Sequence, residues 1–119
     1  MSNELKPIVS KEDTFDLLDI RLGRVVSVER AESAVKASYF IRADFGRFGI
    51  KTSVARLTKH SIEDLTGKQI LGVLNFGSRE VGGIKSEFLC LGVQYPKADS
   101  GEATIVTPLV EAKLGSKLF

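Results

Sequence analysis

Apolar and polar positions alternate from Asp19 to Glu29, with Ile20, Leu22, Val26 and Val28 on one side and Arg21, Val25, Ser27 and Glu29 on the other. That period of two predicts a half-buried strand. Gly23 in its middle predicts a sharp bend of the kind a small barrel requires. After a polar connector over residues 31–37, Tyr39, Ile41, Ala43 and Phe45 alternate as a second strand that closes in a turn at Gly46. The third strand, Phe48 to Ala55, sets Phe48, Ile50, Thr52 and Val54 on one face and points Lys51 and Ser53 outward. Thr58 to Leu65 reads as a single helix, with Ser61 as an alternative cap and Gly67 as its stop. Residues 69–76 and 88–93 are nearly continuous apolar runs, the pattern of central buried strands. A late extended segment covers residues 103–110.

Three strands, one helix and two more strands is the order of an oligonucleotide/oligosaccharide-binding (OB) barrel, in which the face of strands 2 and 3 commonly meets the ligand. The predicted fold class is therefore all-β with one short helix. The 119 residues are enough for one domain with a real core. Residues 1–14 read as a partly flexible arm, in which Ser10 or Asp13 caps a short helix bearing Phe15 and Leu18 on one face. Residues 15–119 read as the OB-type domain.

Between the last two runs the chain spends residues 77–87 on a join that two or three residues could make. It places Arg79, Lys85, Ser86 and Glu87 there, around the paired glycines 82 and 83, with Asn75 just before it. Charge adds a second focus. Residues 47–62 carry Arg47, Lys51, Arg56 and Lys59 and no acid, a net +4, whereas residues 1–19 carry two lysines against five acids, a net −3. A local basic cluster is the electrostatic footprint of a polyanion binder, and equally of a solvated basic face.

Catalytic chemistry finds little support. His60 is the single histidine and Cys90 the single cysteine, which leaves no ligand set for a metal and no disulfide. Cys90 sits in the apolar run FLCLG and reads as a small buried hydrophobe. Nothing orients it toward His60 as a nucleophilic pair. The acids Glu63 and Asp64 suit a helix surface. The glycines 77, 82 and 83 lack a nucleotide-binding spacing, and no phosphate loop is present. No enzyme and no cofactor are expected. The apolar runs are too short for a membrane helix and the first residues lack the apolar core of a signal peptide, so a cytoplasmic location is expected.

The segment NFGSREVGGIKSEFLCLG (75–92) resembles the signature of the tRNA-binding domain family. LDIRLGRVVSVE (18–29), GIKTSVARLT (49–58) and LTGKQILGVLNF (65–76) resemble it too, so the likeness spans nearly everything from Phe15 onward. Within that family IKSEFLCLG is most similar to the export-related CsaA branch, where a lysine precedes the Ser-Glu pair. The resemblance implies an OB-type barrel whose C-terminal extension builds a two-fold homodimer, and a binding function without catalysis. Residue by residue, Asn75, Arg79, Gly83, Ser86 and Glu87 match the family's Asn, Arg, Gly, Ser and Glu, and Leu89 stands where another large apolar residue is usual. The chain departs at three places. Ser78-Arg79-Glu80 replaces a Pro-Arg-Lys run, Gly82 replaces a frequent basic residue, and residues 31–36 replace a His-Pro-Asn-Ala-Asp-Lys-type loop. Each departure weakens the expectation of tight tRNA binding.

Two functions follow as expectations. In the first, a dimer presents two apolar depressions rimmed by charge to unfolded or presecretory polypeptides carrying basic and apolar residues, with Phe76, Phe88 and Phe48 as floor candidates. In the second, Lys51, Arg56, Arg79 and Lys85 hold the phosphates of tRNA. The ligand-binding set is Lys51, Ser53, Arg56, Asn75, Phe76, Arg79, Lys85, Ser86 and Glu87. Arg79 offers a planar fork for carboxylate or phosphate. Asn75 can hold the loop or read a base edge. Ser86 and Glu87 can lock the backbone of the join. Residues 75–87 are neutral in sum, which favours the polypeptide reading.

Overall fold

The computed structural model describes residues 4–32, 34 and 36–119. Ser33 and Val35, in the connector where the family loop is replaced, lie outside the described residues, as do the first three residues of the arm.

β1 (Ile20–Arg30) is the spine of the molecule. Its first half pairs antiparallel with β4 (Gln69–Val73) and its second half with β2 (Tyr39–Asp44). The two halves meet at a bulge between Val25 and Ser27, where the register shifts. That bulge overturns the simple alternation expected of β1. The extra residue swaps the parity of the strand, so Val25 is buried and Val26 faces out. Gly23 also has a packing task. A Cβ there would lie 2.6 Å from the ring of Phe45, so its missing side chain makes room for that ring.

β2 behaves as its alternation predicts: Tyr39, Ile41, Ala43 and Phe45 are all buried. A 3-10 turn at Gly46–Phe48 leads into β3 (Ile50–Ala55). There the expected faces are inverted. Ser53 pairs with Ile41 and Lys51 with Ala43, which puts both on the core side of the sheet, while Ile50 is 60% exposed. Paired residues of antiparallel strands share a face, so the buried positions of β2 fix those of β3.

The helix α1 is a single turn, Ile62–Leu65, shorter than the expected Thr58–Leu65. Ser61 caps it by accepting from the Asp64 N–H at 3.1 Å, and Gly67 follows at φ +89°. The long join is a β-hairpin, β5 (Arg79–Val81) and β6 (Ile84–Ser86). Gly82 and Gly83 both have positive φ, as a two-residue hairpin turn of type I′ requires and as glycine adopts freely. The run expected as one central strand splits into β7 (Leu89–Cys90), an edge strand on β4, and β8 (Gly92–Val93), which pairs with β9 (Thr104–Ile105). The main sheet is ordered β3-β2-β1-β4-β7 and curls into a nearly closed five-stranded OB-type barrel.

Its core is centred on Phe45, fully buried and packed edge-on against Phe88 with ring centroids 4.9 Å apart. Gly72 of β4 serves these rings as Gly23 does, since a Cβ there would fall 2.7 Å from Phe88.

Part of the C-terminal extension is used within the chain itself. Leu22 N–H donates to Ser116 O at 2.9 Å, and Gly115 N–H and Leu118 N–H donate to Leu22 O and Ile20 O at 2.8 and 2.9 Å. Residues 115–118 thus cover the edge of β1 that β2 leaves open. Gln69 fixes the preceding turn by exchanging two hydrogen bonds with the Ala112 peptide, at 2.7 and 2.9 Å. Residues between these anchors and β9 stand proud, with Leu109 and Val110 exposed.

Candidate functional site

The base of the β5–β6 hairpin, the edge of β3 and the start of β7 enclose a depression of about 290 Å³. Val54, Phe76, Phe88 and Leu89 supply its carbon surface, Ser53, Ser78 and Ser86 its hydroxyls, and Arg79 its one charge. Phe76 is 61% exposed and forms part of the wall, whereas Phe88 is buried and forms the floor.

Four side chains hold this site together across the gap between β3 and the hairpin, where no regular ladder forms. The Glu87 carboxylate accepts from Thr52 N–H at 3.1 Å and from the Thr52 hydroxyl at 2.8 Å, while Glu87 N–H donates back to Thr52 O at 2.7 Å. Thr52 therefore meets Glu87 much as it would meet a neighbouring strand. Ser86 Oγ accepts from Val54 N–H at 3.3 Å, and the Ser53 hydroxyl donates to Phe88 O at 2.8 Å. Thus Ser53, expected to point outward, is 1% exposed and bonded inward, and Ser86 is buried as well. A buried hydroxyl is tolerated because its hydrogen bond is made.

Asn75 clamps the chain entering β1, donating to Leu17 O at 2.9 Å and accepting from Asp19 N–H at 2.8 Å. It satisfies those two peptide groups as a strand neighbour would. Arg79 stands on the face of the hairpin that meets the depression, and Lys85 on the opposite face, paired with Glu80. Lys51 lies near the Glu87 carboxylate at the mouth of β3. Arg56 is turned away from the depression. Its guanidinium bonds Ser100 O and its carbonyl accepts from Ala103 N–H at 3.1 Å, so it ties down the segment before β9. Phe48 is also elsewhere, with the guanidinium groups of Arg21 and Arg47 at 4.8 and 4.7 Å from its ring. The expected basic cluster is dispersed: Arg47 stacks, Arg56 staples, and Lys59 lies over Tyr95.

A family model described as a putative tRNA binding domain matches residues 20–117. The chain belongs to that family. Two solved chaperones have this domain's shape over their whole length. CsaA from Bacillus anthracis is 37% identical with a TM-score of 0.85, and covers 95% of the chain and all of its own. CsaA from Picrophilus torridus is 28% identical with a TM-score of 0.83, and covers 94% of the chain and all of its own. Among curated relatives, the methionine–tRNA ligase of Porphyromonas gingivalis is 36% identical over 107 residues. That match covers 89% of the chain but 15% of the ligase, so the chain spans about a seventh of the curated relatives it matches.

Within this tRNA-binding domain, sequence reasoning missed the outward face of β2 and β3. Phe40 pairs with Val54 and Arg42 with Thr52, beside the depression, and the Arg42 guanidinium stands 5.3 Å from the Phe40 ring. Their signal was present, since Phe40 and Arg42 occupy the positions between the core residues of β2. Other chemistry is muted. Burial pushes the Cys90 thiol up to about 12, and His60 Nε2 sits 2.9 Å from the Thr104 hydroxyl. Among the described residues no three His, Cys, Asp or Glu side chains gather to hold a metal ion, and no helix is long and apolar enough to cross a membrane.

Glu87 gives the domain an acid-sensitive closure. The Thr52 hydroxyl bond holds its carboxyl below the usual 4.5 against desolvation, helped by Thr52 N–H and the charges of Lys85 and Lys51. A lowered pKa means stabilisation that is present above the unfolded value and lost as pH falls through the folded one. Glu87→Gln is therefore expected to lower the melting temperature at neutral pH, and the gap from the unaltered protein should shrink below about pH 4.5. A gap that stays constant into acid would show that the carboxylate charge does not stabilise this closure.

Proposed function

We propose that the chain is a non-catalytic chaperone of the CsaA kind, cytoplasmic and homodimeric, which binds unfolded or presecretory polypeptides in the Phe76 depression. The observation that carries the reading is the depression itself: a carbon-lined hollow with one charge and several hydroxyls suits an apolar side chain on a polar backbone. The full-length likeness to two chaperones supports it. The dispersal of Arg47, Arg56 and Lys59 argues against a dense phosphate track.

The family description favours a second reading, tRNA binding, with Lys51, Arg79 and Lys85 as the phosphate contacts. Titrating the purified protein with unfractionated tRNA and with an unfolded presecretory protein, each across a salt series, separates the two. Polypeptide binding should persist as salt rises, whereas a tRNA complex should lose about one unit of log–log slope per phosphate contact. Submicromolar tRNA affinity at physiological salt, with no binding of the unfolded protein, would reverse the ranking.

The dimer is proposed from the second half of the extension. Leu109, Val110 and Phe119 are exposed beside an apolar hollow of about 250 Å³ between Leu22, Leu71, Pro108 and Leu118. Light scattering at micromolar concentration should read twice the chain mass of 13.0 kDa. Val110→Asp should move it toward the single-chain value.

A further inference from the structure

The hairpin leaves one edge of β5 with no strand beside it among the described residues. The direction of its backbone groups follows from two independent observations. First, the Gly82–Gly83 turn closes on the pair Val81–Ile84. In a two-residue hairpin that pair exchanges hydrogen bonds, and the pairs then alternate, so Glu80 and Lys85 do not bond each other. Second, the Lys85 carbonyl oxygen lies 2.9 Å from the Thr52 hydroxyl oxygen, which places it toward β3 and away from β5. Both observations leave the N–H and C=O of Glu80 aimed at the open edge. That donor and acceptor are the template an extended peptide backbone matches.

The occupant's side chains are set by what adjoins that edge. β5 begins at Arg79, which lines the depression with Phe76 and Ser78. Arg79 makes no ion pair among the described residues. The neighbouring acids do not answer its charge: Glu80 lies on the opposite face of the hairpin and Glu87 is held by Thr52. The free charge at the depression is positive, and its complement is acidic.

We propose that an extended polypeptide segment pairs as a third strand with the outer edge of β5, seating an apolar side chain against Phe76 and an acidic side chain on Arg79. This rests on the polypeptide reading and narrows it, replacing the basic clients expected from the sequence with acidic-apolar ones. RNA lacks the alternating amide pattern and gains nothing from the Glu80 edge.

The test uses a short synthetic peptide in which leucine and aspartate stand two residues apart, so that both side chains leave one face of a strand. A single backbone N-methyl group is walked along it, and affinity is measured for the unaltered protein. A methyl group on the N–H that meets the Glu80 carbonyl should weaken binding by about tenfold or more, and one on either neighbouring residue should leave it unchanged, because in a strand those alternate N–H groups face away from β5. Exchanging aspartate for lysine should weaken binding further. Glu80→Pro, which removes the outward N–H without breaking a bond of the hairpin, should mimic the methyl effect, while Glu80→Gln should not. A methyl scan with no alternation, or a parent peptide that fails to bind although an unfolded protein does, overturns strand pairing and leaves the polypeptide reading standing. Failure of both peptide and unfolded protein to bind brings down both. The scan leaves the protein untouched, so it decides even if Glu80→Pro does not fold.

Discussion

Phe76→Ser is expected to weaken the binding of an unfolded polypeptide by about thirtyfold or more, the loss typical when a desolvated aromatic anchor is removed. The fold should survive, because Phe76 is 61% exposed and lies outside the packed core, so little burial is lost with it. Binding titrations beside a thermal melt check both halves. An unchanged melting temperature with unchanged affinity would remove Phe76 from the site. Arg79→Ala should act differently, slowing association at low salt more than it speeds dissociation, since charges at a rim steer encounter more than they hold the complex. If Arg79→Ala proved the costlier change at high salt, the depression would be an anion site rather than an apolar one.

Phe45→Ala should be the most damaging single change in the barrel, costing about 3–5 kcal/mol out of a stability that for domains of this kind is about 5–15 kcal/mol. Its ring fills the space left by two absent side chains, at Gly23 and Gly72, and supports Phe88 beneath the depression. Gly23 and Gly72 have no side chain that could relax into the void. Urea unfolding should show a lower midpoint with little change of slope. Phe45→Leu should recover part of the loss. A cost below about 1 kcal/mol for Phe45→Ala would mean that the walls collapse inward.

The barrel and its strand order were legible because alternation over β2 is regular, and every residue it assigned to the core is buried. Parity in β1 was not legible. The bulge adds one residue, and both Val25 and Val26 are apolar, so composition cannot say which turns inward. β3 misled for a related reason. Its apolar positions Ile50 and Val54 belong to the outer face, and the core side carries Ser53, whose partner Phe88 O lies 35 residues away. A buried polar group is invisible in a sequence until its partner is placed. The site was legible as a segment rather than as roles. Asn75, Arg79, Ser86 and Glu87 do converge around the hairpin, but the backbone that Asn75, Ser86 and Glu87 lock belongs to the entry of β1 and to β3, not to the join itself. Arg56 was misplaced because charge clustering along a chain says nothing of what each long side chain reaches.

The segment 115–118 that covers β1 has a bearing on how the molecule is made. Ile20 to Leu22 leave the ribosome well ahead of the residues that bond them, which lie more than ninety positions later. Contacts of such separation form slowly, and domains grow from the N-terminus as they are synthesised. A nascent chain paused short of Gly115 would hold β1 with one side bare, an adhesive border that the finished molecule hides. Ribosome-bound chains that stop short of Gly115 are where aggregation or a helper's grip should be greatest, and the emergence of residues 115–118 is what ends the exposure.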